Sequence, residues 1–119
     1  MNGRILIVED EAIPALELQL RLQSWHYEVT RIEAGGARAI EASREDPPDL
    51  VIMDVVLADD VDGLQAAEVI RAEIDVPIVF LTAVESRVAA AVGDDASCAI
   101  VSKPYHTADL KDAIERLLA

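Results

Sequence analysis

The sequence predicts an α/β protein in which five strand–helix units build one parallel sheet. Short, wholly apolar runs alternate along the chain with segments of helical periodicity. Strands buried on both faces have this continuous apolar character, which is typical of parallel sheets with crossover helices, and such crossovers are right-handed. The length of 119 residues fits one domain, so we expect a single domain over residues 1–119.

The N-terminal half contains three predicted strands and two helices. The first and third strands are wholly apolar, whereas the second is more polar and is expected near a sheet edge. Pro14 is compatible with the first helix because it falls in its first turn. The strands are 5–8, 27–30 and 50–53; the first helix is marked by Ala12, Ile13, Leu16, Leu20 and Leu22, and the second spans 37–45.

The C-terminal half continues the alternation. A helix is predicted over 64–74, an apolar strand over 77–82 and a weak, alanine-rich helix over 84–92. The last strand is predicted over 97–101 and the last helix over 107–118, where Leu110, Ile114 and Leu117 share one face. Because this helix ends the sequence, we expect no output domain after it, and Met1 just before the first strand leads us to expect a natural start.

Composition excludes several classes of function. The formal net charge is −13, from 23 acidic residues against 10 Lys and Arg, which disfavours direct nucleic-acid binding and favours cations and basic partner surfaces. No apolar run approaches the ~18 residues of a membrane span, and no secretory signal is evident. The one cysteine, Cys98, is expected to be a buried small side chain in a reducing compartment. We therefore expect a cytoplasmic protein.

Polar and charged side chains follow four of the five predicted strands. The reactive crevice of an open α/β sheet lies outside the carboxyl ends of its strands. The residues there are Glu9 and Asp10 after the first strand, Asp54 after the third, Thr82 at the end of the fourth, and Lys103 with Pro104 after the fifth. Helix capping explains one acid after one strand but not this whole set.

These residue types point to a cation and a phosphoryl group. If the first and third strands are neighbours, three carboxylates converge, and their repulsion raises at least one pKa unless a cation lies among them. Hard oxygen ligands suit Mg²⁺, which prefers a site completed by phosphate oxygens. A lysine and a threonine can contact phosphoryl oxygens, and a carboxylate can itself be the nucleophile. On these grounds alone, either Asp10 or Asp54 could be that nucleophile.

Five short motifs carry a family resemblance. They are Ile-Leu-Ile-Val-Glu-Asp at 5–10, Asp54 closing the strand 50–53, Asp62-Gly63, Leu81-Thr82-Ala83 and Lys103-Pro104-Tyr105. In this order and at these spacings the sequence resembles the receiver domains of response regulators in two-component signalling, over nearly all 119 residues.

The resemblance implies a flavodoxin-like, three-layer fold with strand order 2-1-3-4-5. It implies that Asp54 accepts a phosphoryl group from a phosphohistidine of a sensor histidine kinase or histidine phosphotransferase. Lys103 would contact that group, and Thr82 would reorient towards it. The output partner is then a downstream protein that the sequence does not identify.

The resemblance also implies a Mg²⁺ site. Asp10, Asp54 and the backbone carbonyl of Val56 would bind the ion, and Glu9 would hold a metal-bound water.

Two departures from the family pattern concern the loop after Asp54 and the last strand. The segment 55–63 lacks the usual proline four residues after the acceptor and is about one residue longer than the commonest form. Ile100 stands where an aromatic residue often reports the phosphorylated state. We therefore expect Ile100 to be buried in both states and the signal to pass through movement of the segment 84–97.

We interpret the chain as a stand-alone receiver that switches by protein contact and is not an enzyme acting on a metabolite. One alternative is a receiver cut from a longer DNA-binding regulator or hybrid histidine kinase. Another is a Mg²⁺-dependent phosphohydrolase with an aspartate nucleophile. Such enzymes need a second acid two residues after the nucleophile, where this sequence has Val56, and a cap over the substrate, for which 119 residues leave no room. A third is a binding module that is never phosphorylated. Gly63 is expected to be a plain helix-start glycine, and His26 a surface or capping residue.

Overall fold

A computed structural model, which describes residues 3–119, has a five-stranded parallel sheet of order β2-β1-β3-β4-β5. The strand order implied by the family resemblance is thus confirmed. The strands are β1 (Arg4–Val8), β2 (Glu28–Glu33), β3 (Leu50–Met53), β4 (Ile78–Thr82) and β5 (Cys98–Ser102). The helices are α1 (Ala12–Ser24), α2 (Gly36–Glu45), α3 (Gly63–Glu73), α4 (Glu85–Val92) and α5 (Thr107–Leu118).

Helices cover both faces of the sheet, so the three central strands are buried on both sides. Helices α2, α3 and α4 pack on one face, where Leu6, Met53 and Phe80 are fully buried. Helices α1 and α5 pack on the other face, which is reached by the alternate strand residues such as Ile7 and Ile52. This two-sided burial is the physical reason that the central strands are continuous apolar runs.

Strand β2 is longer than predicted. It reaches Glu33 because Arg31, Ile32 and Glu33 keep pairing with β1, although their polarity resembles that of a loop. As an edge strand, β2 needs less apolar sequence than the central strands.

Helix α1 is confirmed, but most of the residues whose spacing predicted it point to solvent. Ile13, Leu16 and Leu20 are 72%, 53% and 65% exposed. The buried face carries Leu18 and Leu22, with Ala15. Because α1 has apolar residues on more than one side, periodicity predicts the helix but cannot choose the face that packs on the sheet.

The end of α1 is closed by His26, which adopts a positive φ of 69°. Its amide donates to the Gln23 carbonyl at 2.9 Å, and the Tyr27 amide donates to the Leu22 carbonyl at 3.0 Å. These two bonds form a Schellman motif that satisfies the last carbonyls of the helix. The expected capping role of His26 is therefore observed.

Ile100 is only half-buried, so the expectation of full burial is wrong for this state. It lies on the edge strand β5, which α4 covers only in part. Val88 is the one buried residue of that helix. A cavity of about 550 Å³ remains between α4, β5 and α5, lined by Ile100, Glu85 and Arg116 among others. Cys98, also on β5, is half-buried, and burial raises the pKa of its thiol.

None of the helices within residues 3–119 combines the length and apolarity that a membrane crossing requires.

Candidate functional site

The ends of β1 and β3 bring three carboxylates together. The strands are adjacent and parallel with Val8 opposite Met53, and the Asp54 amide donates to the Val8 carbonyl at 3.0 Å. Parallel pairing thus continues one residue beyond the strands and puts the next side chains at one edge. Carboxylate oxygens of Glu9, Asp10 and Asp54 all lie within 4.8 Å of one another.

The three acids differ in their access to water. Glu9 is 6% exposed and Asp54 is 9% exposed, whereas Asp10 is exposed. All three line an open cavity of about 540 Å³ at the carboxyl edge of the sheet. The carboxylates of Glu9 and Asp54 are therefore largely removed from solvent, whereas that of Asp10 faces the solvent.

Lys103 supplies the cation that bridges the two buried acids. Its Nζ lies 2.6 Å from Glu9 Oε1 and 3.0 Å from Asp54 Oδ2. The position is fixed by the backbone, since the Lys103 amide donates to the Thr82 carbonyl at 2.9 Å and extends the β4–β5 pairing. Partial burial alone would lower the Lys103 pKa, but the hydrogen bonds to Glu9 and Asp54 outweigh it and the pKa is raised. The ammonium thus stays charged across the physiological range.

The Asp54 carboxylate is held in one orientation by its own backbone. Oδ1 accepts a hydrogen bond from the Val55 amide at 2.7 Å and a longer one from the Val56 amide at 3.4 Å. Oδ2 accepts from Lys103. Both oxygens of Asp54 are therefore held in position by hydrogen bonds within the protein.

Gly63 is the first residue of α3, as expected, and it also packs tightly against the backbone of Asp54. Its amide donates to the Val55 carbonyl at 2.8 Å. A Cβ at this position would lie 1.9 Å from the backbone oxygen of Asp54. The start of α3 can therefore reach the backbone of Asp54 only if residue 63 has no side chain. Spacing alone could not reveal this contact.

Thr82 is fully buried at the end of β4 and is turned towards α4. Its Oγ1 accepts a hydrogen bond from the Val84 amide at 3.1 Å, and Val84 is the N-cap of α4. Among the described residues, the hydroxyl has no hydrogen bond to the carboxylate cluster. The structure therefore joins Thr82 to the first residues of α4 and does not place it among the acids.

The rim of the cavity contains Val56, whose side chain is 58% exposed. Arg21 of α1 also lines the cavity; it donates to the Tyr105 hydroxyl at 2.8 Å and lies 5.8 Å from the centre of the Tyr105 ring. Sequence reasoning did not select Arg21, because a contact spanning 84 residues leaves no local signal.

The donor set fits a hard divalent cation. Three carboxylates converge, one of them solvent-facing, and all the candidate side-chain donors are oxygens. Such a set suits Mg²⁺, which keeps several waters and binds through one or two carboxylates together with phosphate oxygens. The binding roles of Glu9, Asp10, Asp54 and Val56 stay predictions.

The family of this chain follows from its similarity to known proteins. The family model described as "Response regulator receiver domain" matches residues 5–115. The chain belongs to the response-regulator receiver family. Members of this family are receiver domains of two-component systems and act as signalling switches.

Three similar proteins illustrate the relationship. The chain is 38% identical over 113 residues to the transcriptional regulatory protein PdtaR of Mycobacterium tuberculosis, covering 94% of this chain and 55% of that protein. It is 34% identical over 111 residues to the DNA-binding response regulator MtrA of the same species, covering 92% of this chain and 48% of the relative. A response regulator receiver protein from Sinorhizobium medicae superposes with a TM-score of 0.85 at 32% identity, covering 98% and 94% of the two chains. The receiver chain thus spans about half the length of the curated relatives that it matches.

Proposed function

We propose that this receiver accepts a phosphoryl group on Asp54 from a phosphohistidine, in a Mg²⁺-dependent reaction, and signals through protein contact. The observation that carries the proposal is the environment of the Asp54 carboxylate. It is 9% exposed, is held by the Val55 amide and Lys103, and has two further acids within 4.8 Å. Receiver domains interact with histidine kinases or phosphotransferases, which makes phosphohistidine the donor class.

The proposed transfer is a nucleophilic displacement at phosphorus. An Asp54 carboxylate oxygen forms the new bond to phosphorus, the phosphorus–nitrogen bond breaks, and the imidazole leaves with the bonding electron pair. The product is an aspartyl phosphate. Orientation by the Val55 amide favours this attack because the nucleophile need not be ordered first.

The other acids and the lysine take separate roles in this proposal. Asp10, Asp54 and the Val56 carbonyl would hold Mg²⁺, and Glu9 would hold one of its waters. When bound, the ion supplies positive charge that offsets the phosphoryl oxygens. Lys103 leaves the Asp54 oxygen and pairs with a phosphoryl oxygen, so that one ammonium contacts the site in both states.

The exposed side of α1 supports a protein as the phosphodonor. Ile13, Leu16 and Leu20 form an apolar stripe on a helix that begins two residues after Asp10, and Val56 adds exposed apolar surface at the cavity rim. A sensor histidine kinase or histidine phosphotransferase that covers this stripe would bring its phosphohistidine to Asp54. The net charge of −13 favours a partner with basic residues around the apolar contact.

A second candidate is a receiver that belongs to a longer regulator. The observation in its favour is that the chain covers only 55% of PdtaR and 48% of MtrA. In this case Asp54 has the same role, and a DNA-binding or other effector domain gives the output. The stand-alone switch and the cytoplasmic location expected from the sequence remain part of the first proposal.

The donor class can be tested by transfer from a panel of histidine-phosphorylated kinase and phosphotransferase domains in the presence of Mg²⁺. We expect at least one donor to label the wild type and none to label Asp54→Asn. Leu16→Glu should reduce transfer from that protein donor about tenfold or more, since a charge replaces a buried contact at the interface. Labelling of this variant by phosphoramidate should be unchanged. Labelling of Asp54→Asn would contradict the proposal.

A further inference from the structure

The loop between β3 and α3 is attached to the start of α2 by Asp59. One oxygen of its carboxylate accepts hydrogen bonds from the Gly36 amide at 3.0 Å and the Val61 amide at 3.1 Å. The other oxygen accepts from the Ala37 amide at 3.1 Å. Gly35, the N-cap of α2, has no side chain to satisfy these amides. Asp59 therefore caps a helix that begins 23 residues earlier in the chain.

The two glycines at the start of α2 allow this contact. A Cβ on Gly35 would lie 2.6 Å from the Asp59 carboxylate, and a Cβ on Gly36 would lie 2.2 Å from the Val61 carbonyl oxygen. The backbone adds a further bond, from the Ala58 amide to the Ala34 carbonyl at 3.2 Å. The two glycines therefore leave the space in which the 58–61 segment packs against the start of α2.

Val56 lies between two fixed points of the same loop. On one side, the Val55 carbonyl accepts from the Gly63 amide at 2.8 Å. On the other side, the Asp59 carboxylate holds the loop to α2. Only two residues separate Val56 from Asp59, so release of Asp59 would let the Val56 peptide adopt more conformations, and these would have to be lost when Mg²⁺ binds.

We infer that Asp59 is a positioning residue, which holds the loop so that the Val56 carbonyl is ready to bind Mg²⁺. The inference rests on the proposed function, which assigns that carbonyl to the metal. It also accounts for the unusual loop, because a side-chain attachment takes the place of the missing proline as the restraint. Hydrogen bonds from the Ala37 and Gly36 amides lower the pKa of Asp59, which keeps the carboxylate ionised near neutral pH.

The test compares Mg²⁺ affinity in Asp59→Ala, Asp59→Asn and a matched control, Asp60→Ala. Asp60 is adjacent, exposed and acidic, and it has no hydrogen bond or ion pair within the described part of the chain. Asp60→Ala therefore removes one negative charge from the same loop, as Asp59→Ala does, without removing a hydrogen bond between the loop and α2. MgCl₂ titrations followed by amide NMR give both the affinity and the shift of the Val56 amide.

We expect Asp59→Ala to weaken Mg²⁺ binding about tenfold, the size typical of residues that orient metal ligands. Asp60→Ala should change it less than about twofold, and Asp59→Asn, which keeps one acceptor oxygen, should fall between them. In the metal-free protein, Asp59→Ala should speed hydrogen exchange at Gly36 and Ala37. If Asp59→Ala does not fold, Asp59→Asn against Asp60→Ala decides.

Two results overturn the inference in distinguishable ways. If wild type binds Mg²⁺ and the Asp59 variants match Asp60→Ala, the positioning role is wrong while the proposed function stands. If wild type does not bind Mg²⁺, the proposed function fails and the inference fails with it.

Discussion

The Lys103 ammonium lies 3.0 Å from the Asp54 carboxylate and at the same time 2.6 Å from that of Glu9. Two largely buried acids thus share one cation, which offsets the repulsion that their proximity creates. The bridge joins the ends of β1, β3 and β5. A group that takes Asp54 away from Lys103 therefore breaks a contact between the ends of β3 and β5.

Lys103→Met should destabilise the protein by about 1–3 kcal/mol at pH 8, because Glu9 and Asp54 lose their charged partner. The Lys103 pKa is raised above its ordinary value of 10.5, so its contribution is fully present below pH 10.5 and is lost as the pH rises through the folded-state pKa. Denaturant unfolding at pH 8 and pH 11.5 should show the difference between wild type and variant shrinking. An equal difference at both pH values would contradict the bridge.

Asp10→Asn should raise the stability of the metal-free protein by a few tenths to about 1 kcal/mol, since it removes one of three clustered carboxylates. The same change should weaken Mg²⁺ binding by at least about tenfold, as a direct ligand is lost. Thermal melts with EDTA and with MgCl₂ measure both effects. The prediction is contradicted if Asp10→Asn melts at a lower temperature than wild type in EDTA and if MgCl₂ raises the melting temperature of both proteins equally.

Gly63→Ala should cost about 2–4 kcal/mol, because its Cβ would overlap the Asp54 carbonyl oxygen at 1.9 Å and backbone must move. Gly3→Ala is the matched control. Its Cβ meets the end of the Leu118 side chain at 2.9 Å, which can rotate away, so a cost below about 1 kcal/mol is expected. Urea unfolding compares the two variants. Similar costs would show that the contact with Asp54 is not tight.

Thr82→Val should loosen the start of α4, because it removes the acceptor of the Val84 amide while keeping the side-chain shape. We expect faster exchange of that amide and a stability loss of about 1 kcal/mol. Beryllofluoride, a phosphoryl mimic, should then shift the α4 amides less than in wild type, whereas Thr82→Ser should behave as wild type. If beryllofluoride shifts the α4 amides equally in Thr82→Val and wild type, Thr82 does not couple the carboxylate cluster to α4.

The fold could be predicted because two-sided burial makes the central strands apolar without interruption, as in 50–53. The residues of the site could be predicted for a related reason. Parallel strands end at one edge of the sheet, which places Glu9, Asp54 and Lys103 together. The sequence did not choose the nucleophile between Asp10 and Asp54 without the family resemblance. In the structure Asp54 is buried and Asp10 is exposed, and the choice of Asp54 as the acceptor stays a prediction.

The remaining features depend on contacts that leave no local pattern. The exposed stripe of α1 has the same spacing as a buried face, so Leu16 and Leu18 could not be told apart by periodicity. The half-buried state of Ile100 depends on how far α4 covers the edge strand. Asp59 bonds to amides 22 and 23 residues away, and no motif announces such a contact.

The most direct test of the central claim is intact-mass spectrometry after incubation with phosphoramidate and MgCl₂. The account predicts that wild type gains one phosphoryl group, that EDTA suppresses the gain, and that Asp54→Asn gains none. Asp10→Asn serves as a second comparison, since it keeps the acceptor and should be labelled slowly. Equal labelling of wild type and Asp54→Asn would contradict the assignment of Asp54 as the phosphoacceptor.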